Sequence, residues 1–449
     1  MNLIDRIKNN EIRVPIWVGQ LLAYIPYSLK PIIGTQYRES KKDLRQYEHM
    51  NDQERKDYIF KKMSEMVSYA YDNIPFYHHL YNRKGFSPKL LKVFDDLEII
   101  PIINKDDLIA SPLEERSNME QQHYVVNTGG SSGKTLSLCS QRKQMAVETA
   151  HCHEMYATIG YKPSDLKMSI VGRKTHLGAC EYDFARHILF LSMYLPFRES
   201  ALPLKSILRK NAIRYIQGYP SILFEFALYC KEDKQLLNTL KKKLKGVILN
   251  SEYPYEKYVS QIEATFNVPV LSFYGHTERC VLAYGDLNQK YKYYPFQTYG
   301  FTEAIASSDG KLHLVGTSYY NNASPLIRYD TDDIINSPEY SEGGILKSFE
   351  IQEGRSGQYI VDRKGNPVSL TGLIMGRHHL LFNYCIHIQV YQSEPGKATI
   401  LYVPKESSED FDAQKLMDLS DVDIVFSFKR LKTPIRTVHG KVNLLVKSL

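Results

Sequence analysis

Between about residues 141 and 270, short apolar runs alternate with longer stretches whose apolar positions recur at helical spacing. The runs at 168–171, 215–217 and 247–249 predict strands, and 268–274 predicts a further strand running into a loop. Segments 220–230 and 255–266 carry the helical pattern between them. Strands separated by helices of this length predict a largely parallel, helix-covered sheet. Upstream, residues 36–80 predict helices with polar faces. A short strand is expected at 123–126, then a Gly/Ser loop, then a second alternating strand at 136–139. Residues 290–350 are rich in strand and turn signals with little helical periodicity. Beyond Gly354-Arg355 the order becomes ββαβ, with strands at 385–391, 398–403 and 422–428 and a helix at about 409–418. The expected class is α/β (mixed α+β). A large N-terminal domain spans 1–355, with a helical extension over about 1–80, and a small ββαβ-type domain spans 356–449.

A chain of 449 residues exceeds the usual size of one hydrophobic core, which agrees with more than one domain. The net charge of +7 is spread along the sequence, and its densest cluster, KKKLK at 241–245, fits a solvated face. A nucleic-acid groove needs a concentrated basic stripe with interleaved aromatics, so nucleic acid is not an expected partner. The six cysteines lack CxxC spacing, which excludes a zinc knuckle or disulfide framework and points to a reducing compartment, the cytoplasm. His151-Cys152-His153 lies in a predicted helix, where i and i+2 face nearly opposite ways, so metal ligation is not expected there. The start MNLIDRIKNNE lacks the layout of a secretory signal. Residues 15–34 are apolar but broken by Gln20, Pro26, Lys30 and Pro31, too interrupted for a spanning helix. Packing onto the main domain is expected, with peripheral membrane contact through a surface-lying piece as the alternative.

The most informative local feature is NTGGSSGKT at 127–135. Glycines let the backbone fold around a ligand, and successive N–H groups with Ser and Thr hydroxyls supply donors for phosphate oxygens. A Walker A loop would need glycine where Thr128 stands, and a helix immediately afterwards. A nucleophile elbow matches Gly129 to Gly133 letter for letter around Ser131, but it too needs a helix next. An ordinary Gly/Ser hairpin would be the default if the loop stood alone.

It is joined downstream by SFYGHTE at 272–278, PLIRYDTDD at 325–333, Gly354-Arg355 and TVHGK at 437–441. With IPFY at 74–77 and LEIIPIINK at 97–105, these make nearly the whole chain resemble the adenylate-forming superfamily of acyl- and aryl-CoA ligases. Within it, the phenylacetate–CoA ligase and capsular-polysaccharide CapK-type branch looks nearest. Each motif is weak alone, and their shared order is the specific signal.

The resemblance implies roles for particular residues. Thr128, Gly129, Gly130, Ser131, Ser132, Gly133 and Lys134 would hold the β- and γ-phosphates of ATP, and Ser251-Glu252 would line the adenine pocket. Tyr274 would stack on adenine, Gly275 would allow close approach, and Thr277 would contact the α-phosphate. Glu278 would hold Mg²⁺. Asp333 would accept from the ribose hydroxyls, with Arg355 nearby at a hinge. Lys441, on a mobile small domain, would meet the α-phosphate and carboxylate. The chemistry asks for such groups, because a carboxylate attacking a polyphosphate is anion meeting anion. Mg²⁺ suits one or two carboxylates plus phosphates, and Lys is a compact charge that domain closure can deliver.

Three positions depart from the family pattern. Asp332 replaces the usual glycine before the ribose aspartate, Thr135 replaces a proline after the loop lysine, and Gln358 stands where a hinge Asp or Lys is expected. Tyr219, Phe226, His176 and Arg173 are candidates to line the acid pocket, and the polar Arg173 and His176 would suit a uronate or amino acid. The resemblance implies an ATP-dependent ligase forming an acyl adenylate and passing the acyl group to the thiol of CoA or to an amine. A role in capsular or extracellular polysaccharide assembly follows from the CapK-type branch. The other classes to separate are an amide-forming ligase on a sugar acid or amino acid, a serine hydrolase using Ser131, and an inactive nucleotide-binding scaffold.

Overall fold

The computed structural model describes residues 14–449 except 129–135, 174, 176, 177, 308, 309, 352–358, 371, 372, 375–378, 406–410, 421, 438 and 439, with only the backbone at 367 and 369. The chain divides into two compact units, Met1–Gly354 and Arg355–Leu449.

The first unit opens with helices α1 (Ile16–Ala23), α2 (Gly34–His49), α3 (Asp52–Asn73), α4 (Pro75–Arg83) and α5 (Lys105–Ile109). Asn51 and Glu54 form a reciprocal capping box that starts α3, and Pro75 at the first turn of α4 stops α3 from continuing. A hairpin follows, β1 (Tyr124–Asn127) with β2 (Ser137–Ser140), paired antiparallel from Tyr124↔Ser140 to Asn127↔Ser137. Then come α6 (Arg142–Ala157), β3 (Lys167–Ile170), β4 (Cys180–Asp183), β5 (Ile188–Leu191) and α7 (Phe197–Leu208). Next are β6 (Tyr215–Gly218), α8 (Pro220–Glu232), α9 (Lys234–Lys241), β7 (Gly246–Leu249) and α10 (Glu256–Phe266). The unit closes with β8 (Val270–Gly275), β9 (Leu282–Gly285), β10 (Lys292–Pro295), β11 (Gly300–Ala306), β12 (Leu312–Ser318), β13 (Tyr329–Tyr340) and β14 (Leu346–Ile351).

Strands β3 to β14 form one twelve-stranded sheet in the order β11-β12-β13-β14-β10-β9-β8-β7-β6-β3-β5-β4. Strands β5, β3, β6, β7 and β8 run parallel, and every residue of β3 and β7 is buried, as helix cover on both faces requires. From β8 onward through β9, β10, β14, β13, β12 and β11 all pairings are antiparallel. Strand β8 is the seam, pairing parallel with β7 and antiparallel with β9. One core lies between α3, α4 and the antiparallel half, including Ile59, Met63, Tyr77, Tyr293, Ile327 and Phe349. Another, including Met168, Ile216, Phe226, Val247 and Phe266, fills the parallel half.

The start of β13 is held by a buried ion pair. Arg328 makes two 3.0 Å hydrogen bonds to the Glu303 carboxylate and donates to the carbonyls of Glu98 (2.6 Å) and Ile100 (2.8 Å). Burial raises the Glu303 carboxyl while Arg328 pulls it down. Removing one partner leaves the other charge buried and unmatched, so Glu303→Ala is expected to cost about 3–5 kcal/mol in urea unfolding. A change below about 1 kcal/mol would contradict that role.

In the second unit, β15 (Tyr359–Val361) pairs with β16 (Pro367–Ser369). A four-stranded sheet is built from β17 (Cys385–Glu394), β18 (Lys397–Pro404), β19 (Val425–Arg430) and β20 (Leu445–Val446), in the order β19-β18-β17-β20. The helix expected at about 409–418 is only a 3₁₀ turn, Ala413–Leu416, within the described residues. Asp412 caps that turn, and Asp418 then bonds both the backbone N–H and the hydroxyl of Ser420. Such side chains offer the backbone an alternative to helix, and a single turn cannot offset the cost of nucleation.

Candidate functional site

The motif at 272–278 ends strand β8 and enters the loop beyond it, at the seam between the two halves of the sheet. A change of strand order at the carboxyl end of parallel strands leaves a crevice, the usual ligand position in open α/β sheets. Tyr274 donates its hydroxyl to Asp333 Oδ2 at 2.5 Å, joining residues 59 apart in sequence. Burial, and then the Asp333 carboxylate, raise the Tyr274 phenol well above its ordinary value, so it keeps the proton it donates. Asp333 itself is buried.

The position of Asp333 comes from an irregularity in β13. The register with β12 shifts between His313 and Val315, so residues 331–333 bulge. Within the bulge Thr331 donates to the Leu314 carbonyl and accepts from Asp333 N. Asp332 has φ +62°, a left-handed conformation that glycine adopts without cost and Asp tolerates better than most residues. The departure from glycine at this position is therefore conformationally mild. Asp332→Gly is expected to unfold within about 1 kcal/mol of the parent, and Asp332→Val to lose about 1–2 kcal/mol, measured in urea.

Glu278 is buried, and its Oε2 accepts from His276 Nδ1 at 3.1 Å. The Cys280 sulfur lies 3.6 Å from His276 Nε2. Burial disfavours charge on this ring, but Cys280 and Glu278 outweigh it and raise His276 to about 10. His276 occupies the variable position of its motif, so nothing in the sequence marked it as the partner of Glu278. The donor set fits Mg²⁺ in its ordinary form, one hard carboxylate completed by substrate phosphates. Among the described residues no cluster of three or more His, Cys, Asp or Glu is arranged to hold a metal by itself. His151 and His153 bond elsewhere, to Val147 and Thr298 and to Tyr37 respectively.

Arg279 follows with φ +55° and reaches back to the hairpin. Its Nη1 donates to Tyr124 on β1 (3.2 Å) and to Ser140 on β2 (3.0 Å), while Nε meets Glu148 at 2.9 Å. The hairpin that carries the Gly/Ser loop is thus tied to the residue next to Glu278. Thr128 is buried at the root of that loop, its N–H donating to the Leu136 carbonyl and its hydroxyl accepting from Leu136 N. A strand follows the loop, the context that both a Walker A helix and a nucleophile elbow lack. Gly129, Gly130, Ser131, Ser132, Gly133, Lys134 and Thr135 themselves lie outside the described residues, as do His176, Arg355 and Gln358.

Thr277 is exposed beside Glu278. Gly275 pairs with Leu282 across the seam, and a methyl group added there would meet Leu282 Cδ1 at 3.1 Å. Ser251 is exposed with φ +65°. Glu252 caps α8, accepting from the N–H of Ser221 (3.0 Å) and from its hydroxyl (3.1 Å). Tyr219 is buried and its hydroxyl accepts from Gly172 N at 3.2 Å, and Phe226 is fully inside the core of the parallel half. Arg173 meets Glu181 at 2.6 Å and Asp183 at 3.8 Å and lies over the Phe190 ring, so two carboxylates of β4 already answer its charge. In the second unit, Lys441 closes a turn before β20, its N–H donating to the Thr437 hydroxyl and its carbonyl accepting from Thr437 N.

No family model matches the chain. By sequence it is similar to Protein CapK of Staphylococcus aureus, 21% identical over 281 residues, covering 61% of this chain and 61% of CapK. By structure it is similar to a 2-hydroxyisobutyryl-CoA ligase solved in the postadenylation state. That likeness has a TM-score of 0.66 at 17% identity and covers 88% of this chain and 90% of the ligase. It is also similar to an acyl acid amido synthetase, with a TM-score of 0.56 at 12% identity over 90% of both chains. This chain has the fold of the adenylate-forming enzymes.

Proposed function

We propose that the protein is an ATP-dependent ligase that activates a carboxylic acid as its acyl adenylate and passes the acyl group to a thiol or an amine. The observation that carries this is the Tyr274–Asp333 hydrogen bond at the carboxyl end of the seam strand, just before the loop that carries Glu278. A tyrosine ring backed by a buried carboxylate offers a stacking face and an acceptor for ribose hydroxyls. The buried carboxylate of Glu278, fixed by His276, is where Mg²⁺ with the phosphates would be held, lowering the repulsion between the acid and the triphosphate.

The chemistry balances without a redox partner. The substrate carboxylate attacks the α-phosphorus, an acyl–O–P bond forms, and the bond to the β-phosphate breaks to release pyrophosphate. A thiol or amine then attacks the carbonyl, loses its proton, and AMP departs. In this scheme Thr277, exposed at the same loop, contacts the α-phosphate, and Lys441 supplies a cation when the smaller unit, acting as a mobile domain, closes. The 2-hydroxyisobutyryl-CoA ligase and the amido synthetase that share the fold use a thiol and an amine acceptor by name, so both belong to the proposal. On the strength of the motif resemblance to the CapK-type branch, the reading extends to a role in capsular polysaccharide assembly in the cytoplasm.

The test is ATP–pyrophosphate exchange with Mg²⁺ across a panel of aryl, aliphatic, uronic and amino acids, followed by mass analysis of products formed with CoA or amines. Acid-dependent exchange is expected. Hydrolysis of esters without ATP, abolished by Ser131→Ala, would replace the proposal with a serine hydrolase. No exchange with any acid would leave a nucleotide-binding scaffold.

A further inference from the structure

Helix α1 is packed the wrong way round for a surface helix of a globular domain. Its two buried residues are the small ones, Gly19 and Ala23. Gly19 sits so tightly on Tyr182 that an added methyl group would clash with the tyrosine hydroxyl. Ile16 is partly buried against the core of the parallel half, but Trp17, Leu21 and Tyr24 on the helix and Leu29 and Ile32 in the turns after it face outward. Their exposures run from 64% at Leu21 to 72% at Ile32. Surface helices normally bury their bulky apolar stripe, and contiguous apolar surface left in water marks an interaction site.

The surroundings select the partner. The outward-facing side chains are each about two-thirds exposed rather than recessed, which suits a soft planar surface better than a binding groove. No acidic residue occurs between positions 14 and 38, while Lys30 and Arg38 do. Beside it, the 183–187 turn contributes Arg186, and its Asp183 is matched by Arg173 and Arg186. Lys30 lies over the Tyr27 ring and bonds the Ala185 carbonyl, a cation held at the edge of the apolar face. A Trp and a Tyr among aliphatics with flanking cations is the composition of a helix lying in the headgroup layer of an anionic bilayer. Among the described residues no helix is long and apolar enough to cross a membrane. We propose that α1 and the turns through Ile32 dock the protein peripherally on an anionic lipid surface. This stands independently of the proposed ligase activity.

Trp17 is the only tryptophan in the chain, which makes it the reporter. Vesicles containing phosphatidylglycerol are expected to shift its emission to the blue, and the protein should float with them. Leu21→Glu with Leu29→Glu retains Trp17 and should lower vesicle affinity at least about tenfold while leaving the melting temperature unchanged. Lys30→Glu should weaken binding to anionic more than to phosphatidylcholine vesicles. The proposal is overturned by an unshifted Trp17 at saturating lipid, or by equal binding of the double variant. It is also overturned by a blue shift that tracks protein concentration without lipid, which would identify a protein partner or a second copy.

Discussion

Pyrophosphate exchange by Lys441→Ala is expected to fall by about 10²–10³-fold, while ATP binding is largely retained. The proposed role is confined to the transition state, where negative charge gathers between carboxylate and α-phosphate. A group that acts only there changes turnover and not ground-state affinity. Nucleotide affinity is assigned to other residues, among them Tyr274 and Asp333, whose hydrogen bond needs no lysine. Measuring exchange rates beside ATP affinity by calorimetry separates the two. Exchange at the parental rate would remove Lys441 from the reaction, and loss of ATP binding together with activity would show a broader structural role. Lys441→Arg should rescue little, because a guanidinium fork is not a substitute for a compact ammonium.

Acidification between pH 6.5 and about 4 is expected to destabilise the larger unit by several kcal/mol. Three buried imidazoles are responsible. Burial, reinforced by nearby lysines, lowers His151 to about 4, His153 to about 3 and His187 to about 4. As pH falls below 6.5 the unfolded chain takes up these protons and the folded chain does not, so stability drops until the folded pKa values are reached. Each unit of displacement is worth about 1.4 kcal/mol, so each histidine accounts for roughly 3 kcal/mol over this range, against a usual total of about 5–15. Melting temperature across this range should fall steeply. In His151→Gln the slope should lessen, and an equal slope would assign the acid sensitivity to carboxylates instead. Two of the three hold the N-terminal helices down. His153 bonds Tyr37 of α2 and His187 bonds Gln20 of α1, so that docking is expected to loosen first.

Much of the architecture was legible because burial writes itself into periodicity. The runs at 168–171, 215–217 and 247–249 are mostly apolar because their strands are covered on both faces, and each appears at that place in the sheet. The turn at Ala413–Leu416 was not legible as such, since local competition by Asp412 and Asp418 decides its length. In the site, the strand after the Gly/Ser loop could be read from the alternation at 136–139, and it carried the discrimination between phosphate-loop types. The partners of the motif residues could not be read. His276 holds Glu278 from a position with no pattern, and Arg279 bonds residues 155 and 139 positions away. Neither side chain of such a pair signals the other in a single sequence. The partners of Arg173 were equally hidden, since the polar run around it gives no sign of the carboxylates that β4 sets against it.

The reach of Arg279 onto both strands of the hairpin has a kinetic implication. The root of the loop proposed to hold the phosphates and the carboxylate proposed to hold Mg²⁺ are joined through Arg279, so the two proposed contacts are held together before any nucleotide arrives. Encounter with the triphosphate then need not wait for the hairpin and the Glu278 loop to find each other.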